Sequence, residues 1–537
     1  MVTFLSGYRL LRLSYPVLLT QSSVQTSRQK PPFYDPMNNH PLKRQRDHEA
    51  DSTGPPSKQQ RGPATLLASP WQLTRIRDLP DELNRDAISL RDIVGDTLVR
   101  ECWHFNFLHD INFLMDVFDP AIRHAVDVHI VHGFWKSDDV RRLVLAQDAT
   151  QFPNVHLHVA PMPEMFGTHH SKMMVLFRRD DTAQVVIHTA NMIPKDWTNM
   201  TNAVWRSPLL PRLSAAHESS SSVGESFKAA LLAYLASYDR RGPVCKPLAD
   251  QLSAYDFSAV RAALVASVPG RHDARARSGP LWGWAALERC LRSVPCKAGD
   301  SEVVVQISSM ATLGPRDDWL QKTLFDSLAR CKAQQPAARP RFKIVFPTAD
   351  EVRQSLDGYA SGGSIHTKTQ SRQQASQLEY LRPMLHHWAN DCRRGRELPA
   401  GSHVLNSGRS RAAPHVKTYM RFSADGSIDW ALLSSANLSK QAWGEASKAT
   451  GEMRIASWEV GVMVWPELYG EGSIMVGAFG SDKASERSGG ANGAVVGLRM
   501  PYSVPLQRYG QNEVPWVAST DHAEPDCWGR VWEGQSA

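Results

Sequence analysis

Two short signatures in the chain contain the same residue types in the same order. Each has a His-x-Lys pair followed by a Thr/Ser-Ala-Asn triplet, with eighteen or nineteen residues between the Lys and the Asn. One His-x-Lys pair would be uninformative because chance produces it often, but two copies with matching asparagines indicate a duplicated half-site. The signatures, whose histidines lie 245 positions apart, are His170-Ser-Lys172 with Thr189-Ala-Asn191 and His415-Val-Lys417 with Ser435-Ala-Asn437.

These residue types can carry out phosphoryl transfer if the two signatures meet at one site. The Lys ammonium groups and Asn amides are donors that can hold a phosphate and the extra charge of its transition state. One histidine can attack phosphorus as a nucleophile, and the other can protonate the leaving oxygen and then activate water. Neither a carboxylate cluster nor a metal-ligand spacing accompanies the signatures, so the sequence predicts a phosphodiesterase with no metal and no cofactor.

A histidine nucleophile must be neutral, and a neighbouring carboxylate can fix which ring nitrogen attacks. Two acids are candidates for this role: Asp196, five residues after Asn191, and Glu459, in a strand-like apolar segment. The sequence leaves open which acid serves which histidine, and either acid could instead be a surface charge or part of a structural ion pair. The other histidines near these segments are expected to be structural: His169, His188, His386 and His387.

The hydrophobic pattern around the signatures predicts an α/β fold. In the first half we expect two consecutive helices within 88–118, strands at 126–131 and 155–159, and a further helix at 227–238. In the second half we expect a strand, a helix and a strand, at 303–307, 319–332 and 342–346. The pattern therefore predicts two similar domains that face each other across a cleft, each lining it with one signature. The predicted divisions are a tail at 1–66 and domains at 67–270 and 271–537.

Length and composition agree with a two-domain globular protein. The chain has 537 residues, of which 42% are hydrophobic and 21% charged, and it contains no apolar run long enough to predict a membrane-spanning helix. Its seven cysteines include no CxxC pair and no zinc spacing, which favours free thiols in a reducing compartment. Residues 1–66 hold nine Lys/Arg against four Asp/Glu, so they account for most of the net charge of +7. Any basic groove in residues 67–537 must therefore come from a local arrangement of Lys and Arg side chains.

The segment 1–66 has the composition of a disordered tail. Its basic run Lys43-Arg-Gln-Arg46 suits a nuclear-import signal and suits a solvated tail equally well. The arginines and leucines of residues 1–30 resemble a mitochondrial transit peptide, although Pro16 would break a helix there, and a mis-assigned start codon would also explain them. We expect a nuclear protein with an additional mitochondrial pool. The Ser-rich segment 207–226 and the Gly-rich segment 470–493 are predicted to be surface loops.

Longer strings around the signatures resemble the phospholipase D superfamily. Most of that superfamily has an Asp five residues after each Lys, but Phe177 and Phe422 occupy those positions here, which is typical of its tyrosyl-DNA phosphodiesterase branch. The resemblance runs from about residue 70 to the C-terminus. The strings that carry it are Phe166-Gly-Thr-His-His-Ser-Lys-Met-Met174, Ile187-His-Thr-Ala-Asn191 with Asp196-Trp197, Pro414-His-Val-Lys-Thr-Tyr-Met-Arg421, Ser434-Ser-Ala-Asn-Leu-Ser-Lys-Gln-Ala-Trp-Gly444 and Pro515-Trp516.

This resemblance implies two phospholipase D-like α-β-α sandwich domains with the active site at their interface. It also implies a monomeric enzyme, without a membrane partner, that acts on single- or double-stranded DNA ends carrying a 3′-tyrosyl or other 3′ adduct. The expected leaving group is a peptide derived from topoisomerase I, and the expected product is a 3′-phosphate.

The resemblance also implies a role for individual residues. His170 would be the nucleophile that forms a phosphohistidine, His415 would be the acid and then the base, and Glu459 would orient a catalytic histidine. Phosphate binding is implied for Lys172, Lys417, Asn191 and Asn437, and support of the site for Asp196 and Asn202. Contacts with DNA are implied for Phe166, Ser308, Ser309, Thr312, Ser439 and Lys440, and the peptide side of the cleft for Gly362, Gly363, Ser364 and Trp516.

Three other functions fit parts of the pattern. A lipid hydrolase or transferase of the superfamily would be expected to have the Asp after each Lys and a membrane-facing segment. A general nuclease stays open because nothing in the signatures demands a tyrosine leaving group. A non-catalytic DNA-binding protein would be expected to have lost a His or a Lys, and all four are present. One departure from the family is Asn202, where Gln is more common, and its shorter amide predicts a bridging water.

Overall fold

The computed structural model describes residues 65–214, 222–332, 338–389, 403–446, 450–485 and 493–534. These residues belong to one compact unit, Ala64–Gln535. The basic run Lys43–Arg46 and the leader-like segment 1–30 lie outside the described residues, as do 215–221 of the Ser-rich segment and 486–492 of the Gly-rich segment. Leu66, which was assigned to the disordered tail, instead begins a short strand that pairs with Val495, so the fold starts slightly earlier than predicted.

Strands make up the framework of the described chain. They are β1 (Leu66–Leu67), β2 (Trp71–Leu73), β3 (Val99–Phe105), β4 (Asp127–His132), β5 (Val155–Val159), β6 (Met173–Arg178), β7 (Thr182–His188), β8 (Ala203–Arg206), β9 (Leu210–Pro211), β10 (Ala263–Ser267), β11 (Gly270–Asp273), β12 (Ser301–Gln306), β13 (Arg341–Val345), β14 (Leu385–His386), β15 (Thr418–Ser423), β16 (Ile428–Ser434), β17 (Glu445–Ala446), β18 (Glu452–Ile455), β19 (Glu459–Val464), β20 (Ile474–Ala478) and β21 (Val495–Arg499).

Short helices connect these strands. They are α1 (Arg91–Val94), α2 (Ile111–Val117), α3 (Val140–Ala149), α4 (Pro194–Thr198), α5 (Val223–Ala236), α6 (Lys246–Ser253), α7 (Gly283–Leu291), α8 (Asp326–Leu328), α9 (Ala349–Arg353), α10 (Tyr359–Gly362), α11 (Arg372–Leu381) and α12 (Lys440–Trp443). A π-helical segment, Leu320–Phe325, precedes α8. Among the described residues, no helix is both long enough and apolar enough to cross a membrane.

The two large sheets have the same topology. The first has the order β2-β8-β7-β6-β3-β4-β5 and the second the order β10-β19-β16-β15-β12-β13-β14. In both, the last three strands of the order are parallel and the remaining pairs are antiparallel. The duplication that the signatures indicated therefore extends to the whole sheet. Strand β10, which lies before the division predicted at 270, pairs in the second sheet.

Each signature spans one antiparallel hairpin, which explains the spacing between its Lys and its Asn. Lys172 directly precedes β6, and its carbonyl accepts from the His188 N–H at the end of β7. Lys417 directly precedes β15, and its carbonyl accepts from the Ser434 N–H at the end of β16. In both hairpins the Asn follows three residues later. The second hairpin has a bulge near Arg421, which accounts for its one extra residue.

Three predicted elements are wrong. The segment 88–118, expected to be two helices, contains strand β3 between α1 and α2. This strand is buried at Val99 and again from Cys102 to Phe105, because both faces of its second half are covered, so it lacks the alternation of a half-exposed strand. The segments 207–226 and 470–493, predicted to be surface loops, contain strands β9 and β20 among their described residues. His386, expected to be structural, is buried in the edge strand β14.

The C-terminal segment is fixed to the loop after α10 by one buried tryptophan. The Trp516 indole N–H donates to the Gly362 carbonyl at 3.0 Å and lies 3.1 Å from the Ile365 carbonyl. A Cβ atom on Gly362 would lie 2.3 Å from the Trp516 ring, so the ring can pack there only against glycine. At Gly363 a Cβ would meet Lys195 Nζ at 3.4 Å, an ordinary contact.

We predict that Gly362→Ala lowers the free energy of unfolding by about 1–3 kcal/mol, because the added methyl group overpacks against a buried ring. Urea denaturation of the full chain measures this change. Gly363→Ala, in the same loop and at a φ of −65°, is the matched control and should cost less. Equal stability of the two variants would contradict the close packing of Trp516 on Gly362.

Candidate active site

The first histidine of the signatures is held by an acid from the second sheet. His170 Nδ1 lies 3.0 Å from Glu459 Oε2, and the Glu459 side chain is almost fully buried. Since a carboxylate only accepts, His170 Nδ1 carries the proton and Nε2 is left as the nucleophilic nitrogen. The backbone supports this contact, because the His170 N–H donates to the Trp458 carbonyl at 3.0 Å.

The second histidine is held in return by residues from the first sheet. His415 Nδ1 lies 3.2 Å from Asn202 Oδ1 and 3.2 Å from Asp196 Oδ2. The His415 N–H donates to the Thr201 carbonyl at 2.9 Å, so here too the backbones of the two halves are paired. The bridging water predicted for the shorter Asn202 amide is not needed, because the direct distance is already that of a hydrogen bond.

Asn202 and Glu459 occupy equivalent positions in the duplicated fold. Asn202 directly precedes β8 and Glu459 begins β19, and these strands correspond in the two sheets. Each accepts from the hydroxyl of its own half's Thr/Ser-Ala-Asn triplet: Thr189 Oγ1 donates to Asn202 Oδ1 at 2.8 Å, and Ser435 Oγ donates to Glu459 Oε2 at 2.6 Å. Sequence reasoning assigned no role to these two hydroxyl residues, although their repetition in the signatures was a signal.

Both histidines face a carboxylate, Glu459 for His170 and Asp196 for His415, but their surroundings make them unequal. Burial raises the pKa of Glu459, but the charge and hydrogen bond of His170 lower it by more, so the carboxyl has a pKa below its usual range. Burial lowers the pKa of His170, while Glu459 opposes that effect. His415 has a pKa well below its ordinary value because of burial and the charges of Lys417 and Lys172. The pKa of His415 is therefore lowered more strongly than that of His170, because Glu459 opposes the effect of burial at His170.

Both lysines of the signatures are fully buried beside their own motif. Lys172 Nζ donates to the His170 carbonyl at 3.1 Å, and Lys417 Nζ donates to the His415 carbonyl. Burial lowers the pKa of Lys172 to about 8, although Glu459 and Asp196 act to raise it. Burial and the charge of Lys172 lower the pKa of Lys417 in the same way. Because the charge of Lys172 acts on Lys417, an anion bound near both lysines would offset their repulsion.

The two asparagines are fixed differently. Asn437 Oδ1 accepts from the backbone N–H groups of Ser308 and Ser309 at 3.1 and 3.0 Å, which leaves its amide nitrogen as a donor toward the site. Asn191 donates to Asp196 Oδ2 through its backbone N–H at 2.7 Å and through Nδ2 at 3.0 Å. Asp196 thus connects Asn191 to His415. Burial raises the pKa of Asp196 above its ordinary value, although the charge of Lys195 opposes this.

The residues expected to contact DNA lie in different settings. Phe166 is 78% exposed, as an aromatic side chain that meets a ligand would be. Ser308 and Ser309 support Asn437, while Thr312 Oγ1 accepts from the Gln374 side chain at 3.1 Å. Ser439 caps helix α12 by accepting from the Ala442 N–H, and Lys440 pairs with Glu445 at 2.6 Å. Their roles stay predictions.

The residues assigned to the peptide side form one loop and its support. Gly362 ends α10, and Gly363 and Ser364 follow it. The Ser364 hydroxyl lies 3.4 Å from Asp196 Oδ1, which connects the loop to the carboxylate beside His415. Trp516 is fully buried behind Gly362, so it holds the loop from inside the fold. His169, expected to be structural, is buried between the Asn106 carbonyl and the Tyr238 hydroxyl.

Most of the chain resembles proteins of known function. A family model described as tyrosyl-DNA phosphodiesterase matches residues 70–510. The chain belongs to this family. The match spans both signatures, and the resemblance inferred from the sequence is confirmed.

Full-length relatives support the assignment. The probable tyrosyl-DNA phosphodiesterase of Schizosaccharomyces pombe is 32% identical, in an alignment that covers 87% of this chain and 96% of that protein. Tyrosyl-DNA phosphodiesterase 1 of Drosophila melanogaster is 31% identical, over 84% of this chain and 74% of the relative. Proteins with these names are phosphodiester hydrolases, and the prediction of an enzyme of this class is confirmed.

A solved structure confirms the fold. The crystal structure of the yeast tyrosyl-DNA phosphodiesterase superposes with a TM-score of 0.60 at 20% sequence identity, over 84% of this chain and 99% of that one. The predicted α/β fold class is therefore confirmed. Among the described residues, no group of three or more His, Cys, Asp or Glu side chains is placed to hold a metal ion.

We predict that the site binds sulfate with an affinity that falls as pH rises past about 8, the pKa of Lys172. A lysine with a lowered pKa carries its charge below that pH and loses it above, and the deprotonated amine no longer attracts the anion. The pKa values of His170 and His415 lie below the ordinary value, so neither ring changes charge in this range. Calorimetric titration from about pH 7 to about pH 9.5 measures the effect.

Lys172→Met is the control for this titration. It should bind sulfate weakly at every pH and should flatten the pH dependence. An affinity of the unmodified protein that stays level across the whole range would contradict the lowered pKa of Lys172.

Proposed function

We propose that this protein hydrolyses the bond between a DNA 3′-phosphate and a tyrosine, as in peptides left by topoisomerase I, through a covalent phosphohistidine. The observation that carries the proposal is the pair of oppositely held imidazoles. His170 presents Nε2 because Glu459 holds Nδ1, and His415 presents Nε2 because Asn202 and Asp196 face its Nδ1. A nucleophile and a proton donor are what an in-line displacement at phosphorus needs.

In the first step His170 Nε2 attacks phosphorus and a bond forms between them. The bond from phosphorus to the tyrosine oxygen breaks, and His415 gives its Nε2 proton to that oxygen. In the protein without substrate, burial and the lysine charges keep the pKa of His415 low. The negative charge of a bound phosphodiester offsets the charges of Lys417 and Lys172, which favours the protonated ring when it is needed.

In the second step His415 acts as the base and His170 is the leaving group. His415, now neutral, removes a proton from water as the water oxygen attacks phosphorus. The bond from phosphorus to His170 breaks, and the products are a DNA 3′-phosphate and free His170. Glu459 stabilises the positive charge that His170 carries while it is bonded to phosphorus, since the carboxylate has a lowered pKa and stays ionised.

The charge of the transition state falls on the nonbridging oxygens of the phosphate. Lys172, Lys417 and the Asn437 amide nitrogen are the donors that suit these oxygens, and their positions are fixed by the hairpins of the signatures. These groups meet the phosphate and not the leaving group. The same site therefore supports a second candidate, a metal-independent phosphodiesterase on other DNA 3′ adducts.

We predict that the purified protein converts an oligonucleotide bearing a 3′-phosphotyrosine to a 3′-phosphate in the presence of EDTA, because lysines supply the charge that a metal would otherwise provide. His170→Ala should reduce the rate by about 10⁴-fold or more, since the nucleophile is lost. His156→Ala, which removes a half-exposed histidine from strand β5, is the control and should keep full activity. Activity that EDTA abolishes and magnesium restores would overturn the metal-free mechanism.

We predict that His415→Ala accumulates a covalent protein–DNA adduct. Phenolate is a good leaving group and can depart without full protonation, whereas the adduct cannot be hydrolysed quickly without a base. Denaturing gel electrophoresis with labelled oligonucleotide detects the adduct. Loss of activity without any adduct would mean that the roles of the two histidines are reversed or that the intermediate does not form.

A further inference from the structure

A cavity of about 310 Å³ lies beside the first signature and is not used by the mechanism above. Its lining combines aromatic rings with cationic side chains. We call four of these residues the aromatic shelf: Phe134, Trp135, Lys136 and Arg141. They lie in the loop after strand β4 and at the start of helix α3.

The shelf is continuous with the catalytic site. Phe107, which also lines the cavity, has its ring centroid 5.9 Å from that of His170. On the other side, Gly133 packs directly against the signature, because a Cβ atom there would lie 2.5 Å from His169 Cβ. The loop that bears the shelf is therefore fixed against the backbone that positions the nucleophile.

Aromatic rings and cations alternate along this surface. The Arg141 guanidinium lies 6.0 Å from the ring centroids of both Phe107 and Phe134, and Lys136 Nζ lies 5.6 Å from that of Trp135. Trp135 is 52% exposed, a large apolar area to leave in water. Asp139 also lines the cavity, but its carboxylate accepts from the Arg141 N–H as the cap of helix α3.

An exposed ring, that of Trp135, beside cations that also lie over the more buried rings of Phe134 and Phe107, suits a single nucleic acid strand. Bases stack on aromatic faces without regard to sequence, and cations take the phosphates between them. Phe166, in the loop that leads to the signature, adds a further exposed ring near the same cavity. We propose that the aromatic shelf binds nucleobases of the substrate strand beyond the nucleotide at the scissile phosphate, with Trp135 as the main stacking residue. This inference rests on the proposed function, because it assigns the DNA side of that same substrate.

The test compares substrates of increasing DNA length. The variants are Trp135→Ala, Trp135→Phe and, as a control, Leu143→Ala, which removes an exposed apolar side chain of helix α3 outside the cavity lining. For a 3′-phosphotyrosyl oligonucleotide long enough to cross the shelf, Trp135→Ala should raise KM about 5- to 100-fold with kcat unchanged. For a single nucleotide bearing the same 3′-phosphotyrosine, KM should not change.

Trp135→Phe keeps a ring face and should stay within about threefold of the unmodified protein on the long substrate. Leu143→Ala should match the unmodified protein on every substrate. If Trp135→Ala has an unchanged KM at all DNA lengths, the proposal is wrong. If its loss instead grows with the length of the peptide on the tyrosine, the shelf belongs to the peptide and the DNA assignment is overturned.

A binding measurement separates this proposal from the proposed function. Fluorescence anisotropy with a labelled oligonucleotide ending in a 3′-hydroxyl reports on the shelf without any cleavage. Weaker binding by Trp135→Ala, with no cleavage of 3′-phosphotyrosyl DNA by the unmodified protein, would retain the shelf and overturn the function. Cleavage with equal binding by all variants would retain the function and overturn the shelf.

Discussion

Each histidine of the two signatures is held by a side chain from the opposite half of the molecule, and the rest of the site depends on this exchange. Glu459 of the second sheet faces His170 of the first, while Asn202 and Asp196 of the first face His415 of the second. Backbone hydrogen bonds from His170 to Trp458 and from His415 to Thr201 keep the two halves in register. Each half therefore lacks the side chain that holds its own signature histidine, and the other half supplies it.

The site also concentrates positive charge where water cannot reach it. Two fully buried lysines lie near two histidines, and the compensating acids are Glu459 and Asp196. Such an arrangement is costly without a ligand, as the lowered pKa values of Lys172 and Lys417 indicate. In the proposed mechanism the anionic phosphate of the substrate and of its transition state offsets this cost, so the buried lysines favour its binding.

The sequence identifies most residues of the site, but it does not reveal which of them are partners. The two signatures identified the lysines and asparagines because a hairpin places its two ends side by side, which local spacing can express. The partners of the histidines could not be assigned, because 289 positions separate His170 from Glu459 and no local pattern records such a contact. Strand β3 was missed because burial on both faces removed its alternation. The roles of the Thr189 and Ser435 hydroxyls were missed because their acceptors, Asn202 and Glu459, lie at the beginnings of other strands.

Rapid-quench kinetics of two variants test the exchange of partners most directly. Glu459→Gln should slow adduct formation by about 10- to 100-fold and should not slow adduct hydrolysis, since the uncharged partner weakens His170 as a nucleophile and makes it a better leaving group. Asn202→Ala should slow hydrolysis more than formation, because His415 loses orientation as the base. If both variants slow the same step to the same extent, the two histidines do not have separate partners, and the account is wrong.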